Sequence, residues 1–310
     1  GPLAKTFDIV SKDTYFGEKT WEQAEKHMQQ QTLRKLAEKA GMMTGEFDLV
    51  FSGDLLNQCI GSSFTLRNTG IPHIGLYGAC STMAESLLLG AMTVCGGFSD
   101  RVIAMTSSHF ASSERQYRFP LGYGGQRTPT AQWTVTGSGA ALVCAEGIGP
   151  RIESCTIGTV TELGIKDANN MGAAMAPAAA ATLSQFFRDT YTDPTDYDLI
   201  VTGDLGYVGS NLMLKLMEKE GFPLGENYND CGLMLFEREK QQVESGASGC
   251  GCSASVLSGH ILPKMKNGVL KSVLALSTGA LMSPTSVQQG ETIPGVAHLI
   301  CFSTEKGGIF

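Results

Sequence analysis

An internal repeat constrains the fold of this chain more than any other feature of its sequence. Residues 46–55 (EFDLVFSGDL) parallel residues 196–205 (DYDLIVTGDL), displaced by 150 positions. Three more matched pairs follow in the same order: the turns 70–72 and 221–223, the tripeptides 79–81 and 251–253, and the apolar runs 101–106 and 271–276. Four matched pieces in one order predict a duplicated plan.

Each half of the predicted duplication alternates strands with helices, which is typical of an α/β fold. We place the halves at residues 1–165 and 166–310. A helix built from small and apolar residues follows the matched tripeptide in both halves, and we expect both helices to be buried. The sequence therefore predicts a layered helix–sheet–helix–sheet–helix molecule.

A strand-to-helix elbow around Cys80 is the first candidate site. Apolar, strand-like residues lead into the small-residue turn Gly78-Ala79-Cys80-Ser81, and a helical apolar pattern follows to about Val94. A thiol at the positive end of a helix has a lowered pKa and suits a nucleophile or an anion site. A buried, inert cysteine is the alternative interpretation.

Composition excludes several classes of protein. The 310 residues carry a net charge of −7 with no basic cluster, which argues against nucleic-acid binding. No apolar run reaches transmembrane length and no signal peptide opens the chain, so we expect a soluble chain of cytosolic type. The nine cysteines are scattered, which predicts reduced thiols. We expect no metal site and no cofactor.

Further candidate ligand-binding residues come from strand ends and one long segment. His109 follows the predicted strand 101–106 at the same sheet edge as the elbow. Residues 110–133 are predicted to form a long irregular loop, which is usually functional. From this loop we select Arg118, Arg127 and Tyr123 as candidate ligand-binding residues.

Asp54 has two interpretations. It follows its strand as Asp204 does in the second half, which favours a helix-capping role for both. Asp54 stays among the ligand-binding candidates in case its side chain faces the pocket instead.

Several stretches together identify a family. They are residues 78–82 (GACST), 119–129 (FPLGYGGQRTP), 132–139 (QWTVTGSG), 201–205 (VTGDL), 229–232 (NDCG) and 248–253 (SGCGCS). With the duplicated plan, they resemble the stage V sporulation protein AD family of spore-forming bacteria, within the thiolase-like superfamily. The resemblance covers nearly the whole chain and implies a duplicated five-layer α-β-α-β-α fold.

The resemblance also implies that catalysis has been lost. Condensing enzymes of the superfamily place a His, or a His and an Asn, from the second half beside the cysteine. The matching positions here hold residues 202–204 (TGD) and 248–251 (SGCG), which offer no imidazole and no side-chain amide. Nothing there would activate the thiol or stabilise an enolate.

The role implied by the resemblance is binding of dipicolinic acid or its calcium chelate, for uptake in sporulation and release in germination. Membrane proteins of the same operon are the implied partners, and the implied location is peripheral at the spore inner membrane. A homodimer is expected. Two alternatives stay open: a ketoacyl-synthase-type condensing enzyme that uses Cys80 with His109 as its base, and a scaffold with a vestigial pocket.

Overall fold

A computed structural model gives the structure of residues 1–117 and 127–304. Helices and strands alternate through most of this part of the chain. The helices are α1 (Trp21–Ala40), α2 (Ile60–Leu66), α3 (Thr82–Cys95), α4 (Phe110–Tyr117), α5 (Met171–Thr190), α6 (Gly206–Lys219), α7 (Cys231–Leu235), α8 (Arg238–Gln241), α9 (Cys250–Val256), α10 (Leu262–Lys266) and α11 (Pro284–Gln288). A π-helical turn, Leu257–Ile261, joins α9 to α10.

The strands form two large sheets and one short pair. They are β1 (Leu49–Gly53), β2 (His73–Gly75), β3 (Arg101–Ser108), β4 (Trp133–Thr134), β5 (Gly137–Cys144), β6 (Arg151–Thr156), β7 (Leu199–Thr202), β8 (Tyr228–Asp230), β9 (Ala247–Ser248), β10 (Ser272–Ala280) and β11 (Gly295–Ser303).

The two large sheets share one strand plan. The first has the order β2-β1-β3-β5, and the second has the order β8-β7-β10-β11-β6. In each sheet the three strands at one side are parallel, and β5 or β11 then pairs antiparallel. The strands that match in sequence thus occupy matching places. β6 extends the second sheet although its residues precede 165, and the division of the chain at residue 165 stays a prediction.

The helices lie in three layers around the sheets. α3 contacts β1 and β3 of the first sheet and β10 and β11 of the second, while α9 packs on β3 and β5. α1 packs on the first sheet and α5 on the second. The predicted α-β-α-β-α order is confirmed.

Helix α5 illustrates how composition sets the packing. It begins at Met171 and contains Pro177. A Cβ placed on Gly172 would lie 2.9 Å from the backbone nitrogen of Gly209 in α6. Small residues therefore let these two helices approach closely.

One predicted segment was wrong. Residues 110–117, predicted as loop, form helix α4. The segment is short, and tertiary contacts decide such segments more than local pattern does.

The short pair of strands closes one end of the molecule. Trp133 and Thr134 of β4 pair in parallel with Ala247 and Ser248 of β9. This pairing brings the segment after α4 against the turn that precedes α9. Among the described residues, no helix combines the length and the apolar character needed to cross a bilayer.

Candidate functional site

The elbow at Cys80 is a tightly packed turn between β2 and α3. Cys80 lies in a single 3-10 turn, Ala79–Ser81, directly before α3. Ala79 has a φ of 55°, which a residue with a Cβ adopts only under local strain. A Cβ on Gly279 of β10 would lie 2.4 Å from the carbonyl oxygen of Gly78. The second sheet therefore presses directly on the elbow and fixes the position of the thiol.

The carboxyl of Asp204, which follows β7, lies near the Cys80 thiol, and its negative charge raises the pKa of that thiol. Asp204 is fully buried. Its oxygens accept from the backbone nitrogen of Gly249 at 2.8 Å and from Thr278 Oγ1 at 2.9 Å. Burial raises the pKa of Asp204 to about 6, while its hydrogen bonds lower it in part. A buried carboxyl of the second half thus lies beside the thiol of the first half.

The predicted lowering of the Cys80 pKa was wrong. Burial, first of all, and then the negative charge of Asp204 raise the pKa of this thiol well above its ordinary value. The amide dipoles at the start of α3 do not offset these two effects. The thiol is therefore protonated at neutral pH, and it is a poor nucleophile.

A small cavity opens beside the Cys80 thiol. Its volume is about 50 Å³, which is room for a few water molecules. The wall is mostly apolar, with hydroxyl groups and one carboxylate among its side chains. The lining residues are Leu55, Ala79, Cys80, Ser113, Glu114, Tyr117, Thr134, Met171, Ser248, Ala280 and Met282.

Helix α4 supplies the polar wall of this cavity. Glu114 is 2% exposed, accepts from Thr134 Oγ1 at 3.0 Å and pairs with the Arg127 guanidinium at 3.0 Å. The guanidinium lies over the ring of Trp133, 4.2 Å from its centroid, and over Phe110 at 5.3 Å. Arg127 therefore neutralises the cavity carboxylate and is held in place by two rings.

The six residues predicted for the site do not all lie together. Cys80 lines the cavity, and Arg127 stands one contact away behind Glu114. Arg118 and Tyr123 lie outside the described residues. Ligand contact by any of the six stays a prediction.

His109 is turned toward the N-terminal segment and does not line the cavity. Its Nε2 is 2.9 Å from the carbonyl oxygen of Thr14, and the ring is 2% exposed. Burial lowers the pKa of His109, so the ring is neutral near pH 7. In this position it supports the packing of α4 against residues near Thr14.

Asp54 serves the start of α2. Its carboxylate accepts from the backbone nitrogens of Leu56 at 3.0 Å and Ser62 at 2.8 Å, and from Ser62 Oγ at 2.8 Å. The carboxyl is buried away from the Cys80 cavity, and burial raises its pKa. This geometry corresponds to the structural interpretation of Asp54, because the partners of its carboxylate, Leu56 and Ser62, lie in the first half.

Sequence reasoning missed the contributions of α4 and of Asp204. Ser113, Glu114 and Tyr117 line the cavity because residues 110–117 are helical, and a weak amphipathic pattern there was the available signal. Asp204 was grouped with Asp54 as a cap, since both follow a strand. Nothing local in the sequence distinguishes their partners.

The second-half imidazole expected in a condensing enzyme is not the partner of the thiol. His298, in β11, lies 3.3 Å from Glu85 and accepts from the backbone nitrogen of Gly158. Within the described part of the chain, no cluster of three or more His, Cys, Asp or Glu side chains is placed to hold a metal ion.

Comparison with known proteins identifies the family. The family model for stage V sporulation protein AD matches residues 1–303. The chain belongs to the stage V sporulation protein AD family. A curated family member from Bacillus subtilis (strain 168) is 43% identical over 307 residues, which is 99% of this chain and 90% of that protein.

Solved structures show the same fold at low identity. The 3-oxoacyl-(acyl-carrier-protein) synthase III from Aquifex aeolicus VF5 has a TM-score of 0.55 at 11% identity, covering 95% of this chain and 86% of the synthase. A Xanthomonas campestris OleA variant bound with cerulenin has a TM-score of 0.59 at 14% identity, covering 90% and 79%. The family thus has the thiolase-like fold of condensing enzymes.

Proposed function

We propose that this member of the stage V sporulation protein AD family is a non-catalytic protein that binds dipicolinic acid, or its calcium chelate, in the Cys80 cavity. Through that binding it takes part in uptake during sporulation and release in germination. The observation that carries the proposal is the burial of the Cys80 thiol in the cavity wall near the Asp204 carboxyl, which keeps the thiol protonated. Family membership supports the identity of the ligand.

The argument against catalysis is one of proton affinity. Asp204 has a pKa of about 6, whereas the pKa of Cys80 lies well above its ordinary value. A carboxylate that is so weak a base does not remove the proton of the thiol. The thiolate that a condensing reaction needs is therefore scarcely populated.

The cavity offers groups suited to a small aromatic diacid. Its hydroxyls can donate to carboxylate oxygens, and its apolar wall can accept a ring. The volume of about 50 Å³ is smaller than such a ring, so entry requires the cavity to widen. Met171 and Met282 border it, and methionine side chains rearrange easily.

Titration calorimetry with dipicolinic acid, with and without calcium, tests the proposal directly. The wild type should bind, and Ala280→Leu should abolish binding because the added side chain fills the cavity. Ala181→Leu, at an exposed position of α5, is the matched control and should bind as the wild type does. Absence of heat with the wild type at millimolar ligand would reject dipicolinate binding.

The condensing-enzyme alternative is favoured by one observation, the position of Cys80 in a cavity at the head of α3 in a synthase-like fold. Incubation with acyl-CoA and mass spectrometry of the intact chain separates the two functions. Our proposal expects no stable acyl adduct on Cys80, and an adduct would favour the alternative.

The cellular setting is part of the same proposal. We place the protein at the periphery of the spore inner membrane, with membrane proteins of its operon as partners and a homodimer as its assembly. Cys80→Ala strains should contain less dipicolinate in their spores. Unchanged spore dipicolinate would instead support a scaffold with a vestigial pocket.

A further inference from the structure

Ser113 has an unusual environment in the wall of the Cys80 cavity. It is 1% exposed, and among the described residues its hydroxyl has no hydrogen-bond partner. The neighbouring Ser112 is equally buried but donates to Glu25 at 2.9 Å on the other side of α4. A buried hydroxyl without a partner destabilises the folded state, so such a group is expected mainly where a ligand completes it.

Two of the other three hydroxyls that line the cavity, those of Tyr117 and Thr134, are already engaged. Tyr117 donates to the carbonyl oxygen of Leu55 at 2.9 Å. Thr134 donates to Glu114 at 3.0 Å. A ligand that accepted from either would have to break an existing hydrogen bond, whereas the Ser113 hydroxyl has none to break.

The charge around Ser113 defines the acceptor that it suits. Glu114, next in sequence, is neutralised by Arg127, so its carboxylate is saturated by a cation. An anionic oxygen that enters the cavity therefore meets an unpartnered hydroxyl beside a neutralised ion pair. A hydrogen bond from a hydroxyl to an anionic oxygen is charge-assisted, and such bonds are stronger than those between neutral groups.

We propose that the Ser113 hydroxyl donates a hydrogen bond to a carboxylate oxygen of the bound ligand and is a specificity-determining contact of the site. This inference rests on the proposed function, because it assigns a residue to the same cavity. It adds a contact that none of the six sequence-selected residues supplies.

The test uses Ser113→Ala with Ser112→Ala as the matched control. Ser113→Ala should weaken binding of pyridine-2,6-dicarboxylate about 10-fold by calorimetry, since one charge-assisted hydrogen bond is lost. The melting temperature of the free variant should stay equal or rise, because an unpartnered buried hydroxyl is removed. Ser112→Ala should lower the melting temperature and leave affinity within about two-fold.

Ligand selectivity gives a second readout. Pyridine-2-carboxylate lacks one of the two carboxylates, and the wild type should bind it more weakly than the diacid. Ser113→Ala should reduce that preference if the hydroxyl holds the second carboxylate.

The outcomes separate the two claims. If the wild type does not bind the diacid, the proposed function fails. If the wild type binds and Ser113→Ala binds equally well with the same selectivity, only the role of Ser113 is overturned. A melting temperature that falls as far as that of Ser112→Ala would also overturn it, because Ser113 would then be structural.

Discussion

Asp54 and Asp204 occupy the same place in the two halves and have opposite uses. Each follows its buried strand after a glycine, and each is fully buried. The hydrogen-bond partners of the Asp54 carboxylate, Leu56 and Ser62, lie in its own half. The carboxylate of Asp204 accepts from Gly249 and Thr278 of its own half, but its charge also acts on the Cys80 thiol of the first half.

The difference follows from what caps the next helix. In the first half Asp54 itself binds the start of α2. In the second half Asp230 takes that role, accepting from the backbone nitrogens of Leu205 at 2.8 Å and Gly206 at 3.0 Å at the start of α6. Asp204 is therefore free to accept from Gly249 and Thr278, beside the elbow. A duplicated position can therefore change its partner when a neighbouring residue assumes its local role.

The largest expected effect tests the capping role of Asp54. Asp54→Ala leaves two backbone N–H groups and a hydroxyl buried without partners, so it should lower the free energy of unfolding by about 3 kcal/mol. Urea denaturation measures this value. Asp204→Asn keeps a hydrogen-bond acceptor at the equivalent position, so it should lower the free energy of unfolding by less. An equal loss of stability in the two variants would contradict the different roles assigned to Asp54 and Asp204.

A second test uses pH, because buried carboxyls accompany both aspartates. Burial raises the pKa of Glu25, beside Asp54, from 4.5 to about 8, and that of Asp230, beside Asp204, to about 7. A raised carboxyl pKa stabilises the protonated folded state, and that contribution is lost as pH rises from the unfolded pKa through the folded one.

Unfolding free energy should therefore fall between pH 5 and pH 8, by up to about 1.4 kcal/mol per pH unit for each fully shifted group. Urea titrations at several pH values measure the slope. Glu25→Gln should reduce the pH dependence of the unfolding free energy up to pH 8. Asp230→Asn should reduce it only up to pH 7. A slope that neither variant changes would contradict these assignments.

The smallest expected effect concerns thiol reactivity. The negative charge of Asp204 helps to raise the pKa of Cys80, so Asp204→Asn should increase alkylation of Cys80 by iodoacetamide several-fold at pH 8. Peptide mass spectrometry follows the rate. Asp54→Asn is the matched control and should leave the rate unchanged; equal rates in all three proteins would remove Asp204 from the site.

Much of the fold was predictable, and the reason is physical. β1 and β7 are continuous apolar runs, as parallel strands buried on both faces must be, and their repetition revealed the duplication. The position of Cys80 before a buried helix was also predictable, because small and apolar residues alone follow it.

The chemistry of the site was less predictable because it depends on contacts between distant residues. Asp204 and Cys80 are far apart in sequence, and only the packing of the second sheet against the elbow brings them together. The raised pKa of the thiol follows from that burial, which a local helix-dipole argument does not include. Helix α4 was missed because a polar-rich segment of eight residues is too short to be distinguished from loop by its pattern alone.

The contact of Gly279 with the Gly78 carbonyl has a consequence for how the molecule responds to an occupant. The turn that carries the Cys80 thiol packs tightly between the second sheet and helix α9 of the second half. No space remains there for an added side chain at Gly279. Anything that enters beside Cys80 and displaces this turn must also shift β10. Ligand binding in the cavity is therefore coupled to the packing of the two halves against each other. We expect bound ligand to change the rates of amide hydrogen exchange along β10.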